Sequence, residues 1–165
     1  MKALKPILFS ALVLASIGSA IFYSSCKKDR CTDVVCVNGG YCDGGNCVCP
    51  TGYEGDSCQN YTRNRYVGNY NGGDSCSVVG TRGYNVVFLA VLNNPVQMVM
   101  RGILNTMNDS AICTMVATDS FTFNGANNST TYRGFGKIKN DSLKMSYSVQ
   151  QDTINYTCKY FGLKY

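Results

Sequence analysis

Ser142-Leu143-Lys144-Met145-Ser146-Tyr147-Ser148-Val149 and, shortly after, Thr153-Ile154-Asn155-Tyr156-Thr157-Cys158-Lys159-Tyr160 decide the fold of this chain. In both segments every second residue is apolar. Leu143, Met145, Tyr147 and Val149 share one face of the first, and Ile154, Tyr156, Cys158 and Tyr160 share one face of the second. That alternation is the pattern of a strand with one buried side and one wet side. Gln150-Gln151-Asp152 joins the two, so together they read as a β-hairpin.

Residues 84–92 and 96–104 are apolar runs split by Asn93-Asn94-Pro95, where proline ends one strand and precedes the next. Further candidate strands lie at 66–71, 111–117, 119–124 and 131–138. Asn124-Gly125 and Asn140-Asp141 supply turn chemistry, and Gly39-Gly40, Gly44-Gly45 and Gly72-Gly73 read as turns. No segment keeps a helical period. The expectation is an all-β fold in which residues 66–165 form a small antiparallel β-barrel; a two-sheet β-sandwich is the alternative.

Short loops link the candidate strands in succession. Gly134 and Gly136 alternate within one strand, where a curled sheet needs small residues. On those features the domain resembles a lipocalin-like barrel, which by itself implies no ligand. Cys76 follows the first candidate strand and Cys158 lies in the last. A closed barrel makes those strands neighbours, so a Cys76–Cys158 bridge is expected. Cys113 is then a free thiol, read as a small buried hydrophobe.

Upstream, residues 31–58 hold six cysteines, Cys31, Cys36, Cys42, Cys47, Cys49 and Cys58, among Gly, Asn and Asp. So short a segment buries too little apolar surface to offset the entropy of ordering it. Cross-links must substitute for a core, at roughly 2–3 kcal/mol per bridge. A zinc site is the rival, but the chain has no histidine. Spacing alone leaves about fifteen pairings open.

Cys47-Val48-Cys49-Pro50-Thr51-Gly52-Tyr53-Glu54-Gly55-Asp56-Ser57-Cys58, with Asn38-Gly39-Gly40 before it, resembles an EGF-like domain. The resemblance implies Cys31–Cys42, Cys36–Cys47 and Cys49–Cys58. It does not extend to the calcium-binding form: Asp29 stands alone among cations, and Asp43-Gly44-Gly45-Asn46 lacks the expected aromatic. Neither a metal nor any cofactor is expected. Paired thiols imply an oxidising compartment. Residues 59–65 are read as a linker to the barrel domain.

The amino terminus agrees with export. Lys2 and Lys5 precede an apolar stretch over residues 7–23, the layout of a signal peptide. Ser24-Ser25-Cys26-Lys27-Lys28-Asp29 then resembles the lipobox of bacterial lipoproteins, although Tyr23 replaces the usual leucine. That resemblance implies a signal peptide over residues 1–25, lipidation of Cys26 and a lipidated linker over residues 26–30. Cleavage after Ala20, giving a soluble secreted chain with ten cysteines, is the competing reading, and an uncleaved anchor is the third. The expected setting is the outer membrane of a Gram-negative cell, reached through the lipid.

The chain has no histidine or tryptophan, and Glu54 is its one glutamate, so His-based triads are impossible. No catalytic residue is assigned and no enzyme is expected. The formal charge of +5 falls to +3 without Lys2 and Lys5, too mild for nucleic acid. Asp109-Ser110-Ala111, Asp141-Ser142-Leu143 and Asp152-Thr153-Ile154 resemble the O-glycosylation signal of some Gram-negative exported proteins. Ser110, Ser142 and Thr153 are thus candidate acceptors; turn chemistry before a strand is the plainer reading. The expected function is a membrane-anchored, non-enzymatic binding or structural module with a protein or glycan partner. A carrier of small apolar ligands is the alternative.

Overall fold

The computed structural model describes residues 30–165 apart from Met107 and Asn128. The expected signal peptide and Cys26 lie outside the described residues. The front module contains β1 (Tyr41–Asp43) paired with β2 (Asn46–Val48), and β3 (Tyr53–Glu54) paired with β4 (Asn60–Tyr61). Cys31 is joined to Cys42, Cys36 to Cys47 and Cys49 to Cys58. These are the pairs the sequence resemblance implies. Large apolar side chains here stay exposed, including Val35 and Tyr41, so the bridges stand in for a core.

Eight strands form the second part: β5 (Gly68–Cys76), β6 (Gly80–Ala90), β7 (Gln97–Arg101), β8 (Ser110–Ala117), β9 (Ser120–Asn127), β10 (Thr130–Lys139), β11 (Ser142–Gln151) and β12 (Ile154–Lys164). Each pairs antiparallel with the next, and β12 pairs back onto β5, closing an up-and-down barrel. This is the expected barrel; the sandwich alternative is excluded because the ladder has no open edge. At the seam Cys158 lies opposite Cys76, and a disulfide joins them.

Burial alternates along every strand, so each contributes an inner and an outer row. Rings dominate inside. Phe121 meets Tyr66 edge-on at 5.7 Å and Phe88 at 5.3 Å, while Phe123 lies 5.9 Å from Tyr147. Met98, Met100, Met115 and Met145 fill the irregular space between them.

The first barrel strand departs from expectation. It begins at Gly68 rather than Tyr66 and runs through Gly72-Gly73, which are not a turn. A side chain at Gly72 would collide with the Phe161 carbonyl, and one at Gly73 with the Arg82 carbonyl. The glycines serve close strand approach at the seam. Asn124-Gly125 likewise lies inside β9, with the Tyr132 ring packed over Gly125. The strand expected at 96–104 is cut short by a left-handed run at Gly102, Leu104 and Asn105.

Residues 59–65, expected as a linker, are folded too. They supply β4 and a 3-10 turn over Thr62–Arg65 that covers one barrel mouth. Arg63 donates to the Val91 carbonyl at 2.6 Å, and Tyr66 donates to the Thr118 carbonyl at 3.2 Å. Arg65 bonds the Thr118 carbonyl and pairs with Glu54, each at 2.9 Å. The front module is thereby tied to the mouth it covers.

Candidate functional site

Inside the barrel, one polar cluster interrupts the apolar lining. Asp74 on β5 points inward and is 1% exposed. Its Oδ2 accepts hydrogen bonds from Tyr147 at 2.6 Å, Tyr84 at 2.9 Å and Arg82 at 2.9 Å, and its Oδ1 accepts from Arg82 Nε at 3.2 Å. The two phenol oxygens lie 3.1 Å apart. Asp74 and Arg82 face each other across the β5–β6 ladder, which sets up the two-pronged contact.

Burial first, then the neighbouring Tyr84 phenol and the Asp74 carboxylate it donates to, pushes the Tyr147 hydroxyl well above the ordinary phenol range. Burial also raises Tyr84, with the Tyr147 hydrogen bond working the other way. Both therefore remain donors at neutral pH. Burial opposes the Arg82 charge, but the Asp74 hydrogen bond and field outweigh it, so its pKa rises. The Asp74 carboxylate and the Cys76 and Cys158 sulfurs lie within 4.8 Å of one another, yet both sulfurs are committed to the disulfide, so this is no metal set.

With its acceptor positions filled from within, this cluster is a clamp between β5, β6 and β11. Asp74→Ala removes the shared acceptor and strands Arg82 and two buried hydroxyls. Urea unfolding at pH 7 should show a loss of about 3 kcal/mol, at the low end for a broken buried pair because Arg82 is partly exposed. A loss below about 1 kcal/mol would mean that water replaces the carboxylate.

The outer wall has a different chemistry. Residues 59–165 carry ten Lys and Arg against five Asp and no Glu. Asp74 faces the lumen, and Asp109, Asp119, Asp141 and Asp152 sit in the connections between strands. The outward rows of the barrel therefore hold no acid at all. They do hold Arg101, Arg133, Lys137, Lys144 and Lys159. Lys137 lies directly opposite Lys144, a like-charge pairing that costs stability. Among the described residues, none of these five forms an ion pair.

Part of this wall is concave. A groove of about 870 Å³ crosses β8 to β12 and reaches β5. Two rungs of outward side chains line it. One runs Ser75, Lys159, Ser146, Phe135, Thr122 and Thr114; the next includes Thr157, Ser148, Arg133, Asn124 and Ile112. Gly134 and Gly136 let β10 sink toward the barrel axis, because side chains there would strike Tyr147 and Phe121. Small hydroxyl residues then form the floor, with Phe135 54% exposed among them.

Of the candidate glycosylation positions, Ser110 begins β8 with its side chain exposed, Ser142 donates to the Lys139 carbonyl, and Thr153 lies exposed in the turn before β12. They are scattered over both ends of the barrel and make no common site. Cys113 is wholly buried on β8, and burial raises its thiol pKa strongly. Sequence reading missed the Asp74 cluster because the glycine pair beside it looked like a turn. The signal was present: Tyr70, Gly72, Asp74 and Cys76 keep the inward period. Lys144 and Lys159 were visible on polar faces, but their neighbours required the strand register.

No protein-family model and no curated protein matches the chain. Among solved structures, EF1p2_mFAP2b bound to DFHBI aligns with a TM-score of 0.50 at 10% identity, covering 63% of this chain and 98% of that one. At that identity the likeness is one of fold. A proposed outer membrane protein from Bacteroides fragilis aligns with a TM-score of 0.42 at 12% identity, over 62% of this chain and 52% of that one.

Proposed function

We propose that this chain is an exported lipoprotein, anchored in the outer membrane through an acylated Cys26. An EGF-like front module and a lipocalin-like barrel make up a non-enzymatic binding unit. Four disulfides support export to an oxidising compartment. The observation that carries the binding role is the segregation of charge: every acid is withdrawn from the barrel wall, leaving cations unpaired over a groove. Packing of that kind costs stability without improving the core, so a ligand on the wall is its natural purpose. A lumen ligand is disfavoured because Tyr70, Phe88, Phe121, Met98 and Met100 already occupy the space.

The full chain, extracted in mild detergent and immobilised by its amino terminus, should capture isolated envelope material from its own host. Replacing Arg133, Lys137, Lys144 and Lys159 together by Ser should abolish most of that capture, with a melting temperature no lower than the parent's, since the opposed Lys137–Lys144 pair is relieved. Undiminished capture by the quadruple variant would overturn wall binding. Intact mass of the extracted chain tests the anchor, since acylation of Cys26 adds fatty-acid mass and release of residues 1–25 removes a known one.

A further inference from the structure

We infer that the wall groove binds a linear acidic polysaccharide, one bearing carboxylate or sulfate groups on its sugar rings; this rests on wall binding as proposed above. Three features of the groove converge on that class. Arg133 and Lys159 stand on adjacent rungs, two strands apart, with no acid in either rung. They offer fixed positive charge to a repeating anion. The floor between them is Ser146, Ser148 and Thr157, short hydroxyls that both donate and accept hydrogen bonds, as sugar hydroxyls do.

Phe135 supplies the third feature, an exposed ring face set among polar neighbours on the same rung as Lys159. An aromatic face beside hydroxyls suits the apolar C–H face of a pyranose ring. The groove crosses six of the eight barrel strands, and at the spacing of strands in a sheet that is about 24 Å measured along the curved wall. A chain that bends with the wall can lay a few of its sugars along that arc. A flat anionic bilayer fits it poorly, because a planar surface reaches the rim cations without touching the hydroxyl floor.

The test uses the full chain in mild detergent with three probes: polygalacturonate, neutral dextran and phosphatidylglycerol vesicles. Polygalacturonate should retard the protein in affinity electrophoresis, weakening steeply with salt, and dextran should not. Arg133→Ser with Lys159→Ser should weaken the interaction about tenfold, and Phe135→Ser several-fold. Arg133→Lys with Lys159→Arg should restore most of it. All of these positions are exposed, so equal melting temperatures check the fold.

No retardation by polygalacturonate at low salt, or equal retardation of the Ser variants, overturns the inference. Vesicle binding that needs Arg133 and Lys159, without polygalacturonate binding, also overturns it while leaving wall binding intact. If envelope capture by the quadruple variant is undiminished as well, the wall itself is not the binding face and both readings fall.

Discussion

Raising the pH from 10 to 12 should unfold the barrel cooperatively, and the share of phenolate absorbance near 295 nm that belongs to the buried tyrosines should rise in the same step in which the β-sheet signal is lost. Six tyrosines line or cap the lumen with raised pKa values: Tyr66, Tyr70, Tyr84, Tyr132, Tyr147 and Tyr160. Burial is the first cause in every case. Tyr132 is pushed up to about 12, with the Asp109 charge adding to the effect of burial, and Tyr160 also to about 12, with Asp74 adding. In the unfolded chain a phenol titrates near pH ~10.

Because folding raises these values, the native barrel holds protons that the unfolded chain releases above pH 10. Their contribution is whole below that pH and is lost progressively as the pH climbs toward the folded values. A shift of one pKa unit is worth about 1.4 kcal/mol. At pH 11 six groups would together remove several kcal/mol, a large share of the roughly 5–15 kcal/mol that holds an ordinary domain together. Ionisation of all the phenols near pH ~10 with the sheet intact would show that these six hydroxyls reach water in the native barrel.

That prediction could not be drawn from the sequence, although much of the architecture could. The alternation in 142–149 and 153–160 places Tyr147, Tyr156 and Tyr160 on inner faces, where the structure buries them. Alternation fails where a local signal is used for a distant purpose. Gly72-Gly73 has the composition of a turn, but what requires glycine there is the approach of Phe161 and Arg82. Gly125 follows an asparagine and still belongs to a strand, because the Tyr132 ring needs the space. Such contacts depend on register, which no window of neighbouring residues contains.

The wall groove was out of reach for the same reason. Arg133, Ser148 and Thr157 belong to three strands, and only the ladder sets them side by side. Residues 59–65 look like a polar connector, and their docking follows from carbonyls that Arg63 and Arg65 meet on two other loops, with only Thr62 and Arg63 buried. Cysteine chemistry carries further because it is covalent: Cys76 and Cys158 needed only the assumption that the barrel closes.

Their bridge carries the second large effect. Replacing both Cys76 and Cys158 by Ser should lower the melting temperature by roughly 20 °C. The bridge closes a loop of 82 residues in sequence separation, the longest of the four disulfide loops. For a loop of that length the chain-entropy model assigns about 4.5 kcal/mol, against roughly 2–3 kcal/mol for each short loop of the front module. Its position adds a structural reason. β5 and β12 are the first and last strands of the barrel, and their ladder from Tyr70–Lys164 to Cys76–Cys158 alone turns an open sheet into a closed one. In the unfolded chain with the bridge intact, those two strands remain near each other, and closure costs little. Without it, the seam must form at the full entropic cost of bringing distant segments together. The unfolding rate should change less than the folding rate if seam closure precedes the main barrier, which stopped-flow measurements in urea would read directly. A double-Ser variant that melts within a few degrees of the parent would show that the ladder and the Asp74 clamp close the barrel without covalent help.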